Sequence, residues 1–235
     1  MEHVAARKKI VVFTGAGMSA ESGIKTFRDH GGMWEEFRIE DVATPEAWMR
    51  NPVMVLDFYN KRRRQVMEAQ PNEGHKILAQ LEKHFEVQII TQNIDDLHER
   101  AGSKKVLHLH GEIMKARSSV DPDLIYPLHK NDIKPGEKCA RGSQLRPHIV
   151  WFGEMVPEMD KAIDLTMQAD IFITVGTSLV VYPAAGPIHY APAKSLKYLV
   201  DPGDFELSLV KDVHHIRQKA SEGLRILRQE LEKLK

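Results

Sequence analysis

The chain has 235 residues, enough for one large domain or one domain carrying a smaller insertion. Lysine plus arginine and aspartate plus glutamate both total 33, so no net field recruits nucleic acid or an anionic membrane, and neither is an expected partner. No apolar stretch approaches the roughly 18 residues of a membrane span, the first ten residues hold no apolar signal core, and the single Cys139 excludes an internal disulfide, so the expected location is cytoplasmic.

The first element is the apolar run Val11-Val12-Phe13, which feeds Gly15-Ala16-Gly17-x-x-Ala20, the glycine spacing of a dinucleotide-binding turn. An ordinary Rossmann unit would continue through an amphipathic helix and a second strand to an acidic residue about 20 positions on. Here Phe27, Arg28, Asp29, two glycines and Trp34 follow instead, which is loop chemistry. Asn51-Pro52 then supplies an N-cap and a first helical position. Val55, Phe58, Tyr59, Arg62 and Val66 share one face of that helix. The face should meet the interior, so the Arg62 guanidinium needs an anionic partner or a route to water. Arg63 and Arg64 read as a solvated face. Ile77, Leu78, Leu81 and Phe85 mark a second helix.

The strand VQIITQNID ends in Gln92, Asn93, Asp95 and Asp96, groups able to hold ribose hydroxyls and a carboxamide, or to cap a helix. In VLHLHGE, a period of two puts His108 and His110 on one face and Leu107 and Leu109 on the other. A histidine at a strand end suits general-base work near neutral pH, although a lone histidine fits a structural role first. Residues 114–146 are polar and turn-rich. The runs PHIVWFGE, ADIFITVGTS and SLKYLVD read as strands, with a helix over 157–169. Leu224, Leu227, Leu231 and Leu234 form one face of a C-terminal docking helix. Strands alternating with helices predict an α/β fold, a Rossmann-like doubly wound parallel sheet. Residues 1–35, 71–113 and 147–235 would form it, and two insertions, 36–70 and 114–146, a second, smaller domain.

Five blocks taken together resemble the sirtuins, NAD-dependent protein-lysine deacylases. They are GAGMSAESGI with TFRD and GGMW, TQNIDDLHERAG, LHGE, PHIVWFGEMVP, and VGTSLVVYPAA. Their order and spacing agree from residue 9 to the C-terminal helix. The resemblance implies that NAD is consumed as a co-substrate, with an acyl-lysine carbonyl oxygen displacing nicotinamide and a histidine activating a ribose hydroxyl. That base would be His110, leaving His108 structural. Gln92, Asn93, Ile94 and Asp95 would hold the nicotinamide and its ribose. Gly15, Ala16, Gly17 and Ala20, the loop bearing Phe27 and Arg28, and the turn Gly176-Thr177-Ser178 would hold the phosphates and the adenosine ribose. Ala220 would line the adenine. Val150, Phe152, Gly153 and Glu154 would pair with the substrate peptide as an added strand, and Phe152 would wall the lysine tunnel.

The same resemblance puts Ala43, Tyr59 and Arg62 where sirtuins of the desuccinylase/demalonylase type keep a small residue, a tyrosine and an arginine. Acyl-lysine proteins, with succinyl or malonyl preferred over acetyl, are therefore the expected partners, and a monomer is the expected state. The family's two zinc-binding Cys-x-x-Cys pairs are missing: KARSSVDPD and EKCARGSQ stand in their places, so no zinc is expected. Competing readings are an NAD-dependent mono-ADP-ribosyltransferase, an ordinary dehydrogenase, and a non-catalytic NAD-sensing module.

Overall fold

A computed structural model describes residues 7–24, 37–129, 132–177, 187–204 and 212–234. Phe27, Arg28 and Ser178 lie outside the described residues. Strand β1 (Lys9–Thr14) runs into the short helix α1 (Ala16–Ala20). Helices α2 (Ile39–Val42), α3 (Pro45–Arg50), α4 (Pro52–Glu68) and α5 (Glu73–Leu81) follow. Then come β2 (Glu86–Thr91), α6 (Leu97–Arg100), β3 (Val106–His108), β4 (Gly111–Ser118), β5 (Ile125–Pro127) and β6 (Leu145–Ile149). The last part holds α7 (Met159–Thr166), β7 (Ile171–Val175), α8 (Pro187–Tyr190), β8 (Leu196–Val200), β9 (Val213–Ile216) and α9 (Ala220–Leu231). Among the described residues no helix is long and apolar enough to cross a membrane.

Six strands form a wholly parallel sheet in the order β3-β2-β1-β7-β8-β9. Its central strand β1 is buried on both faces. Ile10 and Val12 pack with Ile77, Leu78, Leu224, Leu227 and Leu231 of α5 and α9, while Val11 and Phe13 pack with Ala162 of α7 and Ile188 of α8. A continuous apolar run is what such a strand requires. From β1 the chain builds outward to β2 and β3, then returns to the other side of β1 for β7, β8 and β9. The order therefore reverses between β1 and β7, and in open α/β sheets ligands sit outside the strand ends at such a point.

A second, three-stranded antiparallel sheet runs β5-β4-β6. Here the structure departs from the sequence reading. β4 crosses position 114 and β5 lies within the stretch read as turns. The register slips between Gly111 and Ala116, and that irregularity breaks the period of two that would betray a strand. The run read as the strand PHIVWFGE pairs only as far as Ile149, and Val150 onward is turn. β9 was not anticipated either; it is a short edge strand with His214 and His215 at its middle.

Helix α4 begins as its caps dictate. The Asn51 side chain accepts the Met54 N–H at 3.1 Å, with Pro52 at the first position. Val55, Phe58, Tyr59 and Val66 are buried against Ala43, Ile113 and Trp151. The solvated face expected for Arg63 is a correction. Arg63 is 1% exposed, its Nε donating to the Ile113 carbonyl at 2.8 Å and its Nη1 to Asn60 Oδ1 at 2.7 Å. Leu56, Asn60 and Arg63 form a second buried stripe turned to β4 and to residues 132–133, so α4 is enclosed on two sides. Arg64 is exposed and pairs with Asp132.

Where the family's zinc pairs would stand, two loops meet through polar contacts. Ser118 Oγ lies 2.9 Å from Ser143 Oγ and accepts the Val120 and Asp121 N–H groups. Cys139 Sγ lies 3.1 Å from Ser143 Oγ, and Arg141 pairs with Asp121 at 3.1 Å. Hydrogen bonding from the Ser118 and Ser143 side chains and from the backbone at Arg141 and Ser143 brings the Cys139 thiol down to about 7. Among the described residues no group of three or more His, Cys, Asp or Glu side chains could hold a metal.

Candidate active site

At the switch point the ends of β1 and β7 are locked together. Gly15 N–H donates to the Val175 carbonyl at 3.0 Å and Gly17 N–H to that of Gly176 at 2.8 Å. A Cβ on Gly15 would lie 2.7 Å from Thr177 Cβ, and one on Gly17 2.7 Å from Gly176 Cα. Gly176 has φ +62°, and a Cβ there would meet Met18 N at 2.3 Å. The glycines thus let the two turns interlock at the mouth of the crevice, leaving Ala16, Ala20 and Thr177 around it. Ala220, the buried first residue of α9, joins this region through its neighbour Ser221, whose N–H donates to Glu21 at 2.9 Å.

The turn after β2 is tied beneath these glycines. Asn93 Nδ2 donates to the Gly15 carbonyl at 3.0 Å and to Ser19 Oγ at 3.1 Å, so its two amide hydrogens are used and it offers Oδ1 as an acceptor. Ser19 Oγ donates in turn to Asp95 Oδ2 at 3.0 Å, and the Leu97 N–H donates to Asp95 Oδ1 at 3.2 Å. Asp95 is 4% exposed. Burial raises its pKa, against the pull of these hydrogen bonds and of His108. The Ile94 carbonyl takes the Ile113 N–H at 2.8 Å, binding the turn to β4. Sequence reading overlooked Ser19; a hydroxyl in a glycine turn carries no signal until its partners are known.

His110 follows β3, where its Nδ1 stands 3.0 Å from the Gln92 carbonyl. A carbonyl can only accept, so Nδ1 carries the proton and Nε2 keeps its lone pair. Burial lowers the His110 pKa against that hydrogen bond, so the ring is neutral at neutral pH. The backbone is equally constrained. Gly111 has φ +80°, and a Cβ there would lie 2.1 Å from the His148 carbonyl oxygen. The His110 carbonyl accepts the Val150 N–H at 3.0 Å, holding the 150–154 turn beside this histidine.

That turn is organised by Glu154. Its carboxylate takes Arg146 at 2.8 and 3.1 Å, Arg117 at 3.3 and 3.2 Å, and the Trp151 N–H at 2.8 Å. Burial would raise the Glu154 pKa, but Arg146, Trp151 and Arg117 bring it below the usual value. The Arg146 guanidinium also stacks on Trp151, 3.3 Å from the ring centroid. Glu154 is therefore an anchor of the turn. Its neighbours Phe152, 48% exposed, and Gly153 face outward, and the Phe152 N–H donates to the Ala43 carbonyl at 3.0 Å.

Ala43 and Tyr59 come together behind this turn. Ala43 and Tyr59 belong to one buried cluster with Trp151. Tyr59 packs edge-on to Phe58 at 5.0 Å, and burial pushes its phenol pKa up. Arg62 is half-buried one turn along α4. Burial lowers its pKa, against the charges of Asp95 and Tyr59. The charge felt from Asp95 links the Arg62 side chain to the strand-end cluster.

The described donor set fits a dinucleotide. It combines a switch-point crevice floored by interlocked glycine turns with amide, carboxylate and hydroxyl groups from β1, β2 and β7, and with a neutral imidazole at its edge. The comparisons agree with this reading. The Sir2 family model matches residues 15–183. A protein of Bacteroides thetaiotaomicron named an NAD-dependent protein deacylase is 52% identical over 229 residues, covering 94% of this chain and 97% of that protein. A Helicobacter pylori protein of the same name is 52% identical over 220 residues, covering 94% and 96%. A solved Sir2 homolog–NAD complex superposes with a TM-score of 0.86 at 39% identity, covering 97% of this chain and 91% of that one. A match spanning most of the chain, on the very residues that floor this crevice, makes the chain a member of the Sir2 family.

Proposed function

We propose that this chain, an NAD-dependent protein deacylase, prefers lysines carrying a short dicarboxylic acyl group, succinyl or malonyl, and yields nicotinamide and the O-acyl-ADP-ribose. The observation that carries the acyl preference is Arg62. A half-buried guanidinium one turn along α4 from Tyr59, which packs with small Ala43, suits a carboxylate at the far end of the acyl chain. Tyr59 and Arg62, at i and i+3, can converge on one such group. An acetyl group offers that pair nothing to bind.

NAD, when bound, supplies the ribosyl carbon from which nicotinamide departs and the hydroxyl that accepts the acyl group. The chain's own residues supply placement and proton transfer. Asn93 Oδ1 and the Asp95 carboxylate offer acceptors at the nicotinamide end, with Gln92 and Ile94 beside them. Gly15, Ala16, Gly17, Ala20, Gly176 and Thr177 receive the phosphates and adenosine, together with Phe27, Arg28 and Ser178, and Ala220 lies toward the adenine. His110 Nε2 takes the proton of a ribose hydroxyl, a role for which the Gln92 carbonyl sets the tautomer. Val150, Phe152, Gly153 and Glu154 receive the peptide backbone as an added strand.

The test is mass spectrometry on one peptide in acetylated, succinylated and malonylated forms, with and without NAD, using the wild type and Arg62→Met. NAD-dependent loss of the acidic acyl groups, reduced far more than deacetylation by the substitution, is the expected result. Equal loss on all three peptides would overturn the acyl assignment.

A further inference from the structure

The roles assigned above leave one charged pair unused, its histidine side chain buried and its carboxylate partly exposed. His108 closes β3 with its side chain 7% exposed. Its Nδ1 is 3.0 Å from the Asn93 carbonyl and its Nε2 2.9 Å from the Glu99 carboxylate on α6. The carbonyl and the ionised carboxylate both only accept, so both ring nitrogens carry hydrogens and the ring is an imidazolium. Burial alone would lower the His108 pKa, but the Glu99 hydrogen bond and charge, with the Asn93 carbonyl and Glu112, raise it. Burial would likewise raise Glu99, and His108, with Lys115 from β4, brings it down. His98, the other titratable group of α6 near this ring, is pushed far below its ordinary value by burial and stays neutral.

The cation sits under the turn that holds the nicotinamide-end residues. It grips the carbonyl of Asn93, and its field reaches Asp95 two residues on, where burial and the neighbouring Asp96 both favour the protonated acid. Among the described groups acting on Asp95, Ser19 and Leu97 contribute hydrogen bonds, and His108 from β3 and Arg62 from α4 positive charge.

We infer that the His108–Glu99 pair is a positioning element for NAD cleavage: the imidazolium fixes the Asn93 carbonyl, and its charge stabilises the Asp95 carboxylate as an acceptor. This rests on the reading of Asn93 and Asp95 as residues of the nicotinamide end. Glu99 acts through His108, and His108 through the turn, so neither touches substrate.

The variants are Glu99→Gln, which leaves a hydrogen-bonding side chain but removes its charge, and the double variant His108→Leu with Glu99→Leu. The second removes cation and carboxylate together, so no lone buried charge remains and the fold is kept. The cation persists below its raised pKa and is lost as pH rises through it. Without the Glu99 charge that loss moves to lower pH. In Glu99→Gln the expected results are an alkaline limb of kcat/KM for NAD shifted to lower pH, a kcat/KM for NAD about tenfold lower at pH 8, and a KM for acylated peptide within about twofold of the wild type. The double variant shows the same loss without the pH dependence. An unchanged kcat/KM for NAD and an unmoved limb in Glu99→Gln, beside a wild type that deacylates, overturn this inference alone; a wild type that releases no nicotinamide overturns the proposed function as well.

Discussion

Replacing Arg63 tests whether a charge inside α4 holds that helix against the small sheet. The guanidinium is 1% exposed and burial brings its pKa down to about 10. Arg63→Ala strips the Ile113 carbonyl of a charged donor, at about 1–3 kcal/mol, and leaves a void adding about 2 kcal/mol. Asn60 Oδ1 suffers less because it also accepts the Ile133 N–H at 3.1 Å. The sum is about 4 kcal/mol. In a chain of this size each kcal/mol moves the melting temperature by about 2–4 °C, so a fall of about 8–16 °C is expected. Arg63→Met fills most of the space and removes an ion that is costly to bury, so about 2 kcal/mol and about 4–8 °C are expected. Arg64→Ala, one residue on but exposed, should stay within about 2 °C. Thermal melts by circular dichroism, with urea titration for reversibility, read all three. An Arg63→Ala variant melting within about 2 °C of the wild type, or an Arg64→Ala variant costing as much, would refute the reasoning.

Gly111→Ala puts a methyl group into the His148 carbonyl at a φ of +80°; loss of deacylation by more than about 100-fold is expected, since the adjoining His110, proposed as the base, must shift, and near-normal turnover would contradict it. His75 is buried neutral with a pKa lowered to about 4. Its unfolded form takes up a proton first as pH falls from about 6.5, so stability present above that pH is lost toward pH 4, by about 3 kcal/mol for this group. A urea midpoint that does not drop between pH 6.5 and 4.5 would refute it. Ser118→Ala removes the acceptor of the Val120 and Asp121 N–H groups and should cost about 1–2 kcal/mol, whereas a metal chelator should leave the wild-type melting temperature unmoved; a chelator-induced drop would reveal a metal that the polar loop contacts do not anticipate.

Sequence reading succeeded where one local signal decides the outcome. β1 reads as a buried parallel strand because every residue from Ile10 to Phe13 is apolar, and Asn51-Pro52 starts α4 through side-chain and backbone chemistry confined to two residues. His110 stands where the strand end and Gly111 coincide, and its role as the base is the reading proposed above. Reading failed where a residue's state depends on a partner distant in sequence. β4 hides behind a register slip, and its alternation returns only once β6 is laid beside it. Arg63 looks solvated because Leu56-Asn60-Arg63 is no apolar stripe; the acceptor that makes its burial tolerable, the Ile113 carbonyl, is 50 residues away.

The two histidines of VLHLHGE carry the argument furthest. The sequence reads them as one strand face, but β3 ends at His108 and His110 stands in the turn beyond it. Each still points Nδ1 at a backbone carbonyl of the turn after β2, Gln92 for His110 and Asn93 for His108. Their protonation states nevertheless diverge, because only His108 meets a carboxylate at its second nitrogen. A neutral acceptor and, below its raised pKa, a cationic donor, two residues apart, thus arise from one repeated motif. The difference is set by Glu99 on α6, a position that in the sequence reads as one more exposed helical charge.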